Sequence, residues 1–145
     1  MRLEPLYRAT FTTPGAWSAE LAGPAGSEGQ SFLIAEGRCE GRLPGRLRGA
    51  NCPRRRTGNA LLPDFRGVLQ TAGGAVCSSH GTDTRGPPRV ECASSLAALP
   101  VSGDERYRWL NDVVCTLTGE VRPRSDGSGS DVEYDVAELV WEPLA

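Results

Sequence analysis

The sequence contains one histidine, His80, the side chain whose ordinary pKa lies closest to neutrality. Ser78 precedes it by two residues and so shares its face on an extended strand. Asp64 and Arg66 are also two apart and project together, with Phe65 on the other side. The stretches 60–71 and 74–84 are joined by Ala72-Gly73-Gly74, so they should pair as antiparallel neighbours and bring His80 toward Asn59 to Asp64. A carboxylate within reach of an imidazole makes a general acid–base pair. If the face is interior, Asp64 and Arg66 must pair with each other or serve the chemistry, because burying uncompensated charge is costly. If it is exterior, they form an exposed ion pair.

A second constellation follows. Read as a strand, Tyr107, Trp109 and Asn111 lie on one face with Val113, Cys115 and Leu117. An apolar face with a single amide has the composition of a pocket wall with a hydrogen-bond handle. It equally suits a core in which Asn111 satisfies backbone groups at a strand end. Tyr7 and Trp141 would line the same cavity if the first and last strands pair.

Several chemistries are excluded or unsupported. All 16 basic residues are arginine, so no lysine side chain is present to form a Schiff base. No Gly-x-Ser-x-Gly elbow accompanies Ser78 or Ser79. The glycines between Gly41 and Gly49 lack the spacing of nucleotide-phosphate loops. Cys39, Cys52, Cys77, Cys92 and Cys115 are odd in number and widely spaced, which reads as free thiols rather than a metal site. A net charge of −2 argues against a nucleic-acid partner. The basic stretch Arg54, Arg55 and Arg56, with Arg42, Arg46 and Arg48 upstream, has no interleaved aromatics for base stacking and reads as a solvated loop or barrel rim.

The elements that must position these residues are strands. Leu3, Pro5, Tyr7, Ala9 and Phe11 alternate with polar residues and form the inward face of a first strand, closed by Thr13-Pro14-Gly15. Residues 23–30 read as a turn, and Ser31 to Cys39 as the next strand. Strands follow at 41–50, 60–71, 74–84, 88–98, 108–119 and 132–142, with a flexible hairpin loop at Pro123 to Ser130. Ser94 to Leu99 is the one stretch compatible with a helical turn, and Pro100 would stop it. A chain of 145 residues with 18 Gly and 11 Pro, segmented in this way, is one all-β domain over 1–145, a sandwich or a barrel of about eight strands. No apolar run reaches the ~18 residues of a membrane helix, and the first twenty residues have no signal-peptide core, so a cytoplasmic, non-membrane protein is expected.

Taken together, Leu3-Glu4-Pro5-Leu6-Tyr7, Asp64-x-Arg66, Leu69 to Ala75, Gly103 to Asn111 with its Tyr-x-Trp-Leu-Asn core, and Thr118-Gly119-Glu120 resemble one family. It is a small domain-of-unknown-function family of bacterial and fungal proteins with lipocalin-like (calycin-like) antiparallel β-barrels. The resemblance favours a barrel over a sandwich. Some similar proteins are encoded beside polyketide assembly genes, which implies a ligand-holding barrel acting on reactive intermediates. The leading expectation is a cofactor-independent cyclase that holds a polyketide- or polyene-type chain in the barrel and promotes ring closure by orienting it. In that reading Tyr7, Tyr107, Trp109 and Trp141 shape the cavity, Asn111 and His80 hydrogen-bond a carbonyl, and Asp64 with Arg66 polarises it. Two alternatives stand beside it: a hydrolase or isomerase using His80 and Asp64, and a non-catalytic carrier. The expected partners are a hydrophobic small molecule and a second copy in a homodimer, with no metal and no cofactor.

Overall fold

The structure is a computed structural model that describes residues 1–24, 26–55, 61–82, 96–98 and 101–143; the side chains at 27, 61–62, 79–82 and 96–98 lie outside that description. Its strands are β1 (Arg2–Gly23), β2 (Gly26–Gly41), β3 (Gly45–Asn51), β4 (Arg54–Arg55), β5 (Leu61–Leu62), β6 (Asp64–Thr71), β7 (Val76–Thr82), β8 (Leu96–Ala98), β9 (Val101–Ser102), β10 (Cys115–Pro123) and β11 (Ser130–Val140). A 3-10 helix, Glu105–Asp112, separates β9 from β10. Neighbours run β1-β11-β10-β8-β7-β6-β3-β2, and β2 pairs back on β1. These eight strands wrap a barrel-like antiparallel sheet. Among the described residues β8 meets β10 over three residue pairs and β7 over two.

Alternation builds the interior. Ala9 and Phe11 of β1 are buried while Arg8 and Thr10 are exposed, and Val132 and Val136 of β11 are buried while Asp131 and Asp135 are exposed. The outer face carries an ion-pair ladder: Arg8 to Asp135 at 2.7 Å and to Glu133 at 3.2 Å, and Arg124 to Asp131 at 2.5 Å. Such exposed pairs contribute about 0–1 kcal/mol each, so the apolar interior carries the stability.

Two bulges change what alternation alone suggests. The β1–β11 register slips between Pro5 and Tyr7, so Leu6 is buried and Leu3 and Pro5 stand outside. The expected inward face is therefore correct from Tyr7 onward and reversed before it. The β1–β2 register slips between Thr12 and Gly15. Pro14, which has no N–H to donate, falls in that irregularity, so Thr13-Pro14-Gly15 bends the strand instead of ending it. Beyond it, residues 15–23 and 26–34 form a hairpin arm where a turn was expected at 23–30.

The stretch 108–119 is not one strand. Asp104 accepts the Arg106 N–H at 3.0 Å and caps the 3-10 helix, which continues to Asp112 before β10 starts at Cys115. With three residues per turn, Tyr107, Leu110 and Val113 face the core together. Leu110 is fully buried among the core residues that include Leu6, Leu43, Leu69 and Cys115, which is worth roughly 2–3 kcal/mol. The helix plugs the end of the barrel where β3 and β10 begin and β2 and β6 end. The segment expected as a helical turn within 94–99 contains strand β8 instead. The expected strand 88–98 otherwise lies outside the described residues.

Candidate functional site

At the end opposite the plug, the inward positions of six strands leave a cavity of about 140 Å³. Tyr7, Ala9 and Phe11 of β1 and Val132, Tyr134 and Val136 of β11 form one wall; Leu33, Ala35, Leu47, Phe65, Leu117 and Val121 contribute to the rest. Phe11 stacks on Phe65 with ring centroids 5.9 Å apart and tilts against Tyr134 at 5.8 Å. Aromatic pairs in this range are worth about 0.5–1.5 kcal/mol beyond their burial, so the three rings hold one another.

The hollow exists because glycines lie beneath the rings. A Cβ on Gly67 would meet the Phe65 ring at 2.6 Å, and one on Gly119 would meet the Tyr134 ring at 2.4 Å and the Glu133 carbonyl oxygen at 2.0 Å. Each ring therefore lies flat across bare backbone instead of standing into the lumen.

Polar groups are few and tied. At the mouth, the Thr13 hydroxyl accepts the Ser130 N–H at 2.8 Å and pins the β10–β11 loop to β1. Asn51 Oδ1 accepts the Asp64 N–H at 3.1 Å. Tyr7, Tyr134 and Ser130 bring further hydroxyls to the lining. Among the described residues no charged side chain lines the cavity. A cavity of this size accepts a guest the size of a benzene ring. Its described lining has nothing to neutralise a carboxylate or phosphate.

Of the eight residues singled out from the sequence, Tyr7 lies in this lining. Asp64 sits beside the mouth, but its partner Arg66, 3.5 Å away through Nε, is 75% exposed, so the pair faces solvent. The backbone register places His80 opposite Arg66, two residues along from the expected approach to Asp64; its side chain lies outside the described residues. Tyr107 and Trp109 pack against the core at the plugged end, where Arg42 lies 4.6 Å over the Trp109 ring and pairs with Glu138 at 3.3 Å. The Asn111 side chain accepts the Ser102 N–H at 2.8 Å and donates to its carbonyl at 3.1 Å, which clamps the helix to β9. Trp141 follows β11, is 75% exposed and does not line the cavity. Alternation runs through the helix on paper, which placed Trp109 and Asn111 on a strand face; among the described residues they do not line this cavity.

Phe11, Phe65, Tyr134 and Asn51 were not singled out as site residues. Their signal was present: Gly37, Gly49, Gly67 and Gly119 fall on inward positions of otherwise regular strands, where a missing side chain marks space or a close approach.

Burial also decides the thiols. It pushes Cys39 up to about 12, and Cys115 up to about 11, where Glu138 adds and Arg42 opposes. Both are protonated, inert core residues near neutrality.

No family model matches the sequence, and no curated protein was found similar to it. Solved structures do match. A beta-barrel like protein from Acinetobacter baumannii AYE is 20% identical, with 96% of each chain covered and a TM-score of 0.76. A protein of unknown function from Clostridium acetobutylicum is 13% identical, covering 97% of this chain and 100% of its own, with a TM-score of 0.78. An enzyme from Penicillium herquei is 20% identical, with 93% of each chain covered and a TM-score of 0.66. The likeness shows the fold. A β-barrel-like scaffold is shared by bacterial and fungal proteins, one of them an enzyme.

Proposed function

We propose that the protein binds a small neutral, conjugated molecule in the cavity beneath Phe11, Phe65 and Tyr134 and promotes its ring closure without a cofactor. The observation that carries this reading is a largely apolar hollow with a mouth at one end, walled by packed aromatic rings and free of charged side chains among the described residues. Among the described residues such a site has no strong acid or base with which to move protons. What it does supply is shape. Holding a flexible chain in a reactive conformer is worth up to roughly 7–11 kcal/mol of barrier, which suffices for a closure that already proceeds slowly in water. A volume of about 140 Å³ takes one ring or one folded segment of a polyketide- or polyene-type chain, with the remainder in the mouth. The Penicillium herquei neighbour, an enzyme on the same scaffold, is consistent with catalysis here.

The test is the rate of spontaneous cyclisation of linear conjugated polyketide and polyene chains, followed by loss of ultraviolet absorbance with and without protein. The expected result is acceleration that Leu33→Trp, which blocks the mouth at a half-exposed position, abolishes without unfolding the barrel. Binding with substrate returned unchanged at the spontaneous rate would reduce the protein to a carrier.

A further inference from the structure

Among the described residues Asn51 is the one amide in the cavity lining, and its orientation is fixed by chemistry. Its side chain bonds the Asp64 N–H at 3.1 Å, and only the carbonyl oxygen of an amide accepts such a bond. The nitrogen must therefore be Nδ2 on the other branch, with two N–H donors. Among the described residues, Asn51 Nδ2 has no hydrogen-bond partner. The anchor is itself held: Asn51 pairs with Phe65 across β3 and β6, and the next residue, Cys52, donates its N–H to the Asp64 carbonyl at 2.8 Å. Asn51 and Asp64 thus form a closed backbone and side-chain ring at the mouth, beside Leu33 of β2 and Pro63.

A rigid donor in an apolar, uncharged wall selects for a particular guest. A hydrocarbon would displace water from the half-buried amide without replacing its hydrogen bond, and an anion would find neutral donors and no countercharge. A neutral molecule with a carbonyl next to its ring or conjugated segment satisfies both the wall and the amide. We infer that Asn51 is a specificity-determining residue, and that the substrate class is a neutral aryl or conjugated ketone whose oxygen accepts from Nδ2 while its π-system lies against Phe11, Phe65 and Tyr134. This rests on the proposed cavity site and adds to it the polarity and direction of the guest.

The test compares two probes of equal heavy-atom count, acetophenone and isopropylbenzene, which differ in a carbonyl oxygen against a methyl group. Affinities are measured by ligand-observed NMR at pH 8 for the wild type, Asn51→Asp and Asn51→Ala. Asn51→Asp keeps an oxygen for the Asp64 N–H and replaces the donor by an acceptor. Asn51→Ala removes both. The expected result is that acetophenone weakens about 3–10-fold relative to isopropylbenzene in both variants, the size of one lost neutral hydrogen bond. A ratio unchanged in both variants overturns the donor assignment and leaves the cavity as a guest site. Failure of both probes to bind the wild type overturns the cavity reading itself, and this inference with it.

Discussion

The substitution Gly67→Ala tests how the rings and the hollow are coupled. Gly67 has no left-handed backbone, so alanine is conformationally acceptable and on that ground favoured by about 0.5–1 kcal/mol. Its methyl group would nevertheless sit 2.6 Å and 2.9 Å from Cε1 and Cζ of Phe65, where carbon atoms rest at roughly 3.5–4.0 Å. The ring must move by about 1 Å, toward Phe11 and into the cavity. Overpacking of this kind costs about 1–3 kcal/mol, giving a net loss near 1–2 kcal/mol. In a Phe65→Leu background the ring atoms are gone, and Gly67→Ala becomes neutral or slightly stabilising. Urea unfolding of the four proteins in the cycle measures the coupling, expected at about 1–2 kcal/mol. In the phenylalanine background the same change lowers Tm by about 2–8 °C and weakens guest binding, because the ring takes the guest's space. Two additive substitutions, agreeing within about 0.3–0.5 kcal/mol, would refute the view that the ring rests on that glycine.

Three further predictions concern the plugged end and the packing of the interior. Asn111→Ala removes two hydrogen bonds to the Ser102 backbone and should cost about 1–2 kcal/mol in urea unfolding while guest affinity stays unchanged; a selective loss of affinity would return Asn111 to the site. Bonds from Arg106 hold the Asp104 carboxyl down at about 2, so its stabilising charge is present above the ordinary value of 3.8 and is lost as pH falls through 2; a carboxyl NMR titration should find the low midpoint, and one near 4 would mean the cap is not formed. In a Cys92→Ser variant at pH 8.5, a thiol-specific disulfide reagent should label half-buried Cys52 and spare Cys39, Cys77 and Cys115, whereas rapid labelling of all four would show an open interior.

The antiparallel pairing of β6 with β7 was legible in the sequence from the short Gly-Gly turn between them, and the inward face of β1 from Tyr7 to Phe11 because period-two alternation is a direct consequence of the pleat. The length of the β1–β2 arm was not, because Pro14 and Gly15 carry the same signal whether they end a strand or bulge it. The Tyr107 to Leu117 segment was misread for a similar reason. Apolar residues at 107, 109, 113, 115 and 117 fit a strand, while 107, 110 and 113 fit three residues per turn, and only the Asp104 cap distinguishes the two. That one choice moved Trp109 and Asn111 from the cavity to the plug. Of the site, Tyr7 was visible as a side chain, but the hollow is defined by side chains that are missing. Gly67 and Gly119 indicate that space only after the register sets them beneath Phe65 and Tyr134.

The guest is expected inside the barrel, at the end away from the 3-10 helix. Intermolecular NOEs between bound acetophenone and the protein test it directly. They should run to the ring protons of Phe11, Phe65 and Tyr134 and to the methyls of Val132. NOEs confined to Trp17 and Phe32, the exposed aromatic pair on the hairpin arm, would place the ligand on the outside and contradict the account.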